Sequence, residues 1–291
     1  MTTPTFLLIG AQKAGTTWLA GMLDQHPEIH TPSVKELHHF DLRDRLARGD
    51  EAYRADLGAP DGVRVVGEAT PNYLGVLDLP ESARPQLDAA GVTLAEHPEV
   101  VDDPAAEIQA RYPDLDLVVM FRDPVARALS AWRHHIRRGR ISPRASFREA
   151  CGRHGILTMG FYHHHLSRWL ELYPADRLLV HVFETDVKGT PEKTIRATYE
   201  HLGVDASFEP TDVRRAANER SSDLELHLRA IRPGLADRMS SLVPAVRRVN
   251  WPRIAPTDDD LRFLGELYRD DVRALEVLLD RPLDQWTQVA R

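Results

Sequence analysis

The stretch Phe6-Leu-Leu-Ile-Gly-Ala-Gln-Lys-Ala-Gly-Thr-Thr-Trp-Leu19 decides how the chain is read. Phe6 to Ile9 is a short, continuous apolar run, the pattern of a strand buried on both faces of a parallel sheet. Trp18, Leu19, Met22 and Leu23 follow at helical spacing, and His26-Pro27 ends a helix predicted over Thr16–Gln25. A strand that feeds a helix through glycines aims backbone N–H groups and the positive end of the helix dipole at one spot, which suits phosphate. Gly10 and Gly15 have the spacing of the nucleotide-triphosphatase loop, but that loop needs a lysine directly after its second glycine. Here Thr16 stands in that place, and Lys13 lies inside the loop. A lysine there can sit beside the oxygen that joins a bound phosphate to whatever leaves it. The pattern suits a ligand whose single 5′-phosphate carries a transferable group, with no metal required. The plain alternative is a strand-to-helix turn with a surface lysine. Gln12, Lys13, Ala14, Gly15, Thr16 and Thr17 form the candidate binding loop.

Working outward, further strands are predicted over Val63–Val66, Leu115–Phe121 and Leu178–Phe183. Helices are predicted over Ala105–Tyr112, Val125–Arg138, Tyr162–Tyr173, Pro191–Leu202, Asp223–Ile231 and Asp258–Leu279. Alternating strands and helices argue for a central parallel sheet flanked by helices, a P-loop-like three-layer α/β fold with a helical C-terminal third. Leu79–Pro104 is acidic and proline-containing and reads as a surface excursion, so residues 1–291 are taken as one domain. The strand Leu115–Phe121 runs into Arg122-Asp123-Pro124, and Ser130 lies two turns into the next helix. Pro124 opens that helix, and Asp123 is a candidate N-cap. Ligands of open α/β sheets bind at the carboxyl ends of strands. Arg122 there can grip a second phosphate with Ser130 beside it, or can simply pair with a surface acid.

Composition narrows the function. The net charge of -7 offers no basic field for nucleic acid or an anionic membrane, so an anionic ligand needs a local cationic pocket. One cysteine, Cys151, excludes an intrachain disulfide and fits a reducing compartment. The N-terminal apolar run is too short for a secretion signal or a membrane span. These features lead to the expectation of a soluble, cytoplasmic protein.

With these residues assembled, the chain resembles the sulfotransferases that use 3′-phosphoadenosine 5′-phosphosulfate, in the branch of the heparan sulfate and bacterial carbohydrate-type enzymes. The first motif is similar to their 5′-phosphosulfate loop, and Phe121-Arg-Asp-Pro-Val-Ala-Arg-Ala-Leu-Ser130 to their 3′-phosphate element. Thr31-Pro-Ser-Val-Lys-Glu-Leu-His-His-Phe-Asp41 resembles the segment carrying the catalytic carboxylate, and Val65-Val-Gly-Glu-Ala-Thr-Pro-Asn-Tyr-Leu74 the strand after it. The resemblance implies one donor molecule, release of adenosine 3′,5′-bisphosphate, no metal, and a carbohydrate or small-molecule acceptor hydroxyl. It implies that Lys13 contacts the bridging oxygen, that Glu36 is the general base, and that His38 and Asp41 line the acceptor site. Glu68 is the competing base and a further candidate for the acceptor site. Two departures stand out. Glycan-sulfating members carry a lysine after the position of Glu68, where this chain has Ala69, which weakens the case for a heparan-like substrate. Their late basic loop over the 3′-phosphate has only Asn218–Ser222 as a counterpart, with Arg220 as its cation.

The competing functions are a P-loop nucleotide kinase or triphosphatase, which the missing lysine opposes, and a non-catalytic nucleotide-binding module. His163-His164-His165 is not read as a metal site, because consecutive helical side chains point in different directions. His134–Arg140 reads as a solvated helix end or as a supplement to an anion pocket. Trp132, Trp169, Trp251 and Trp286 read as packing residues.

Overall fold

A computed structural model describes residues 3–75, 78–214 and 254–286. Arg220, Trp251 and the helix expected over Asp223–Ile231 lie outside the described residues. The strands are β1 (Phe6–Gly10), β2 (Ile29–His30), β3 (Val65–Ala69), β4 (Asp116–Phe121) and β5 (Leu178–Val182). They form one sheet in the order β2-β3-β1-β4-β5, with every neighbouring pair parallel. All five residues of β1 are buried, which suits its central place. Leu7 pairs with Glu68 on one side and with Leu117 on the other. The chain moves to one side of β1 for β2 and β3, then to the other for β4 and β5. The carboxyl ends of β1 and β4 therefore meet at a topological switch point, where a crevice opens. Lys13 follows β1 and Arg122 follows β4.

The helices are α1 (Thr16–Leu23), α2 (Arg43–Leu46), α3 (Gly49–Leu57), α4 (Arg84–Ala89), α5 (Pro104–Gln109), α6 (Pro124–Arg137), α7 (Phe147–Ala150), α8 (Tyr162–Leu172), α9 (Pro191–His201) and α10 (Asp258–Leu278). Asp123 caps α6 as its sequence suggests, accepting from the Val125 and Ala126 N–H groups at 2.9 and 3.1 Å. Trp132, Trp169 and Trp286 are buried in the core.

Three expectations change. The second predicted strand ends at Val66 by its apolar run, but β3 continues to Ala69 because its backbone goes on pairing with β1 up to Leu8. Glu68 therefore sits inside a strand. β2 is two residues long and α3 buries only Tyr53 and Leu57, so neither leaves a periodic signal. The segment Leu79–Pro104 is not a bare surface excursion: it forms α4 and buries Leu79, Ala83, Leu87 and Val92. Pro85 sits in the first turn of α4, where a missing N–H costs nothing.

Burial of histidine sets the acid limit of this fold. His135 is pushed down to about 3, and His165 and His181 to about 4, in each case first by burial. The unfolded chain protonates these rings near 6.5. Their contribution is complete above that value and is lost as pH falls from about 6.5 toward 4, with each ring binding a proton on unfolding. Asp271, pushed up to about 6 by burial, and the Glu68 and Glu184 carboxyls, also raised by burial, act in the opposite sense, while His134, pushed down to about 4, acts with these rings. The midpoint of thermal unfolding is expected to fall steadily between pH 6.5 and 4.5, as followed by circular dichroism.

Candidate active site

The loop between β1 and α1 closes on itself. The Ala11 N–H donates to the Met120 carbonyl at 2.7 Å, and the Ala14 N–H donates to the Ala11 carbonyl at 3.1 Å. Gly15 caps α1 with a φ of 106°, a left-handed conformation that side chains disfavour. A Cβ at Gly15 would also lie 2.9 Å from the Phe183 ring. Thr16 is buried and Thr17 exposed in the first turn, whose leading N–H groups have no partner within the helix. The Gln12 side-chain oxygen is buried with no hydrogen-bond partner among the described residues.

Arg122 joins the two halves of the crevice. Its guanidinium donates to the Lys13 carbonyl at 3.2 Å, lies 5.2 Å from the centre of the Phe183 ring, and has Glu184 at 4.0 Å. Asp123, next in the chain, caps α6. Ser130 is half-buried two turns into α6. Burial pushes the Lys13 ammonium down to about 8, aided by the charges of Arg137, Arg122 and Lys35, while Glu36 opposes the shift. Despite the net charge of -7, cations thus gather around the loop, as an anionic ligand requires. The last turn of α6 joins them. Burial, then the charges of Lys13 and Arg137, pushes His134 down to about 4.

The segment after β2 brings the carboxylates into the same place. Glu36 and His38 have φ of 65° and 55°, so the backbone around them is held against its ordinary preference. The holder is Glu68. It is 2% exposed, and its carboxylate accepts from the Tyr73 hydroxyl at 2.6 Å, the Thr70 hydroxyl at 2.6 Å and the Leu37 N–H at 3.4 Å. The His38 N–H reaches the Thr70 hydroxyl at 3.4 Å, and the His39 N–H the Tyr73 hydroxyl at 3.0 Å. Burial raises the Glu68 carboxyl despite these donors. The Glu68 oxygens are thus engaged beneath residues 37–39.

Glu36 is the opposite case. Its side chain is 41% exposed. Burial tends to raise its carboxyl, but the Lys35 charge and hydrogen bond, with His38 and His134, outweigh this and hold it below the usual range. Lys35 donates to Glu36 Oε1 at 2.7 Å, and His38 Nε2 stands 3.8 Å from Oε2. His38 Nδ1 meets Asp41 Oδ2 at 2.8 Å, and the Asn72 amide donates to the same oxygen at 3.0 Å. Asp41 is completely buried, so it orients His38 from below. Burial tends to lower His38, but the bond and charge of Asp41 raise it on balance.

The structure thus gathers Lys13, Glu36, His38, Asp41 and Arg122 around one crevice. Lys35, Asn72, Glu184 and Arg137 belong to the same surroundings and were not singled out as site residues from the sequence. Arg137 falls in the basic run 134–140, the one signal that pointed toward it. The three histidines at 163–165 diverge: His164 meets Asp78 at 2.7 Å, and His165 Nε2 donates to the Thr158 carbonyl at 2.9 Å. Among the described residues no cluster of His, Cys, Asp or Glu could hold a metal ion, and no helix is long and apolar enough to cross a membrane.

Comparison with known proteins identifies the family and the fold. The family model described as Sulfotransferase domain matches residues 3–224. The mouse (Mus musculus) bifunctional heparan sulfate N-deacetylase/N-sulfotransferase 3 is 27% identical over 97% of this chain, and human (Homo sapiens) heparan sulfate glucosamine 3-O-sulfotransferase 6 is 27% identical over 60% of it. The matched regions make up only 31% and 45% of those two proteins. A crystal structure of a sulfotransferase from Alicyclobacillus acidocaldarius matches with a TM-score of 0.67 and 24% identity, covering 99% of this chain and 100% of that one. That last likeness is one of fold.

Proposed function

The chain belongs to the sulfotransferase domain family and is a sulfuryl-transferring enzyme, and on that premise we propose that its donor is 3′-phosphoadenosine 5′-phosphosulfate and its acceptor a hydroxyl of a carbohydrate or small-molecule metabolite. The observation that carries this reading is the cluster of Lys13, Arg122 and an exposed, ionised Glu36 around one strand-to-helix loop. When bound, the donor supplies a sulfuryl group on a phosphate oxygen and leaves as adenosine 3′,5′-bisphosphate. The N–H groups of Gly15, Thr16 and Thr17 and the Lys13 ammonium hold the 5′-phosphate; Gln12 and Ala14 shape the loop around it. Arg122 and Ser130 hold the 3′-phosphate, with Arg220 as a further cation. Lys13 steadies the negative charge that grows on the bridging oxygen, an interaction stronger in the transition state than in the ground state.

Glu36 takes the proton of the attacking hydroxyl. It is exposed, ionised and within the electrostatic reach of Lys13. His38 and Asp41 line the acceptor side, where His38 orients the hydroxyl against Glu36. Glu68 is a positioning residue for this segment: a carboxylate already engaged by three protein donors is a poor collector of a substrate proton. Heparan sulfate stands in the names of two relatives. Here Ala69 follows Glu68, so the acceptor is proposed to be less anionic than that glycan. No metal is assigned to the transfer.

The test is incubation of the protein with donor labelled in its sulfuryl group and a panel of mono- and oligosaccharides, phenols and alkanols, in chelator. Label appearing in an acceptor together with the bisphosphate supports the reading. Retention of label in the donor, with hydrolysis of ATP restored by Mg²⁺, contradicts it.

A further inference from the structure

We propose that Lys35 is a positioning residue that links the donor loop to the base, its ammonium shared between Thr17 in the first turn of α1 and Glu36. The inference deepens the function proposed above and rests on it. Lys35 Nζ donates to Thr17 Oγ1 at 3.2 Å and to Glu36 Oε1 at 2.7 Å. The bridge spans two separate parts of the chain, the helix that follows the phosphate loop and the strained turn at 36–38. Its chemical consequence at each end follows from what a hydroxyl and a carboxylate can do. Thr17 Oγ1 accepts from an ammonium, so its single proton is left to donate elsewhere, and an oxygen of a loop-bound phosphate is the acceptor the loop is built for. Glu36 Oε1 is tied to the same ammonium, which leaves Oε2, on the His38 side, to take the acceptor's proton. One cation thus orients a donor-site hydroxyl and fixes which carboxylate oxygen does the chemistry.

The other groups facing Glu36 are Lys13 from the loop, His134 from α6 and His38 on its own segment, with Arg137 beside Lys13. Burial opposes ionisation of Glu36, and Lys35 is the strongest of the influences that favour it. Lys35 is half-buried at the crevice rim, with a side-chain exposure of 30%, so its replacement leaves the core intact.

The experiment needs no identified acceptor. Carboxylate-carbon NMR follows the titration of Glu36, assigned with Glu36→Gln, in the wild type, Lys35→Met and Lys35→Arg. The midpoint is expected to rise by about one unit or more in Lys35→Met and to stay low in Lys35→Arg. In parallel, calorimetry measures adenosine 3′,5′-bisphosphate binding to Lys35→Met, Thr17→Val and the double variant. Each single change is expected to weaken binding about fivefold, and the double variant no more than the larger single effect. A Glu36 midpoint unmoved in Lys35→Met, or losses that add in the double variant, overturns the bridge. Failure of the wild type to bind the bisphosphate overturns the proposed donor, and the bridge with it. Normal wild-type binding with additive losses overturns the bridge alone.

Discussion

Lys13→Ala is expected to lower kcat about a hundred- to a thousandfold while weakening bisphosphate binding by no more than about tenfold. The split between the two numbers is what the proposed role demands. The leaving phosphate carries more negative charge as the sulfuryl group departs than it does in the bound donor, so a fixed ammonium lowers the barrier more than it strengthens binding. The surroundings of Lys13 add a pH signature. The free protein holds this ammonium down to about 8, through burial and the nearby Arg137 and Arg122. Below that value it is charged; above it the cation is lost and with it part of the attraction for phosphate. Bisphosphate affinity is therefore expected to decline as pH rises through 8 to 9 in the wild type, with uptake of up to one proton on binding, and this slope should vanish in Lys13→Ala. Equal losses of binding and turnover would make Lys13 an ordinary phosphate contact.

Glu36→Gln is expected to cost about a hundred- to ten-thousandfold in kcat, the usual range for a general base, with bisphosphate binding retained. The amide keeps the shape of the side chain but cannot take a proton. Glu68→Gln tests the competing assignment. At Glu68 both oxygens face hydroxyl and backbone donors, so its loss should first loosen residues 37–39 and lower the unfolding temperature. A collapse of turnover in Glu68→Gln at unchanged stability, beside an active Glu36→Gln, would reverse the two roles.

These residues also mark what the sequence discloses. The loop and the Arg122 turn were legible because local pattern carries them: an apolar strand, two glycines, a proline at the first helical position and an acidic cap. Lys13 and Arg122 come together because β1 and β4 are neighbours in the sheet; the alternation of strands and helices implied a parallel sheet but not this strand order. The different fates of Glu36 and Glu68 were not legible. Both follow short apolar or polar runs, and only the extension of β3 to Ala69 buries one beneath the segment that exposes the other. The partnership of Lys35 with Thr17 was equally out of view, since it joins residues eighteen positions apart through a turn with positive φ at Glu36 and His38. The supporting helices α3 and α4 were missed because short helices with two or fewer buried side chains leave no clear period.

The most direct test of a donor with two phosphates is calorimetric binding of adenosine 3′,5′-bisphosphate, in chelator, to the wild type and to Arg122→Ala. Arg122 lies on the β4 side of the crevice, where a 3′-phosphate is proposed, and loss of a charge-assisted contact of this kind costs about 1.5–3 kcal/mol, or about ten- to a hundredfold in Kd. The account predicts metal-free binding to the wild type and a loss of that size in Arg122→Ala, with adenosine 5′-monophosphate binding weakly and almost equally to both. Equal affinity of the two proteins for the bisphosphate, or wild-type binding of ATP with Mg²⁺ as tight as that of the bisphosphate, would contradict it.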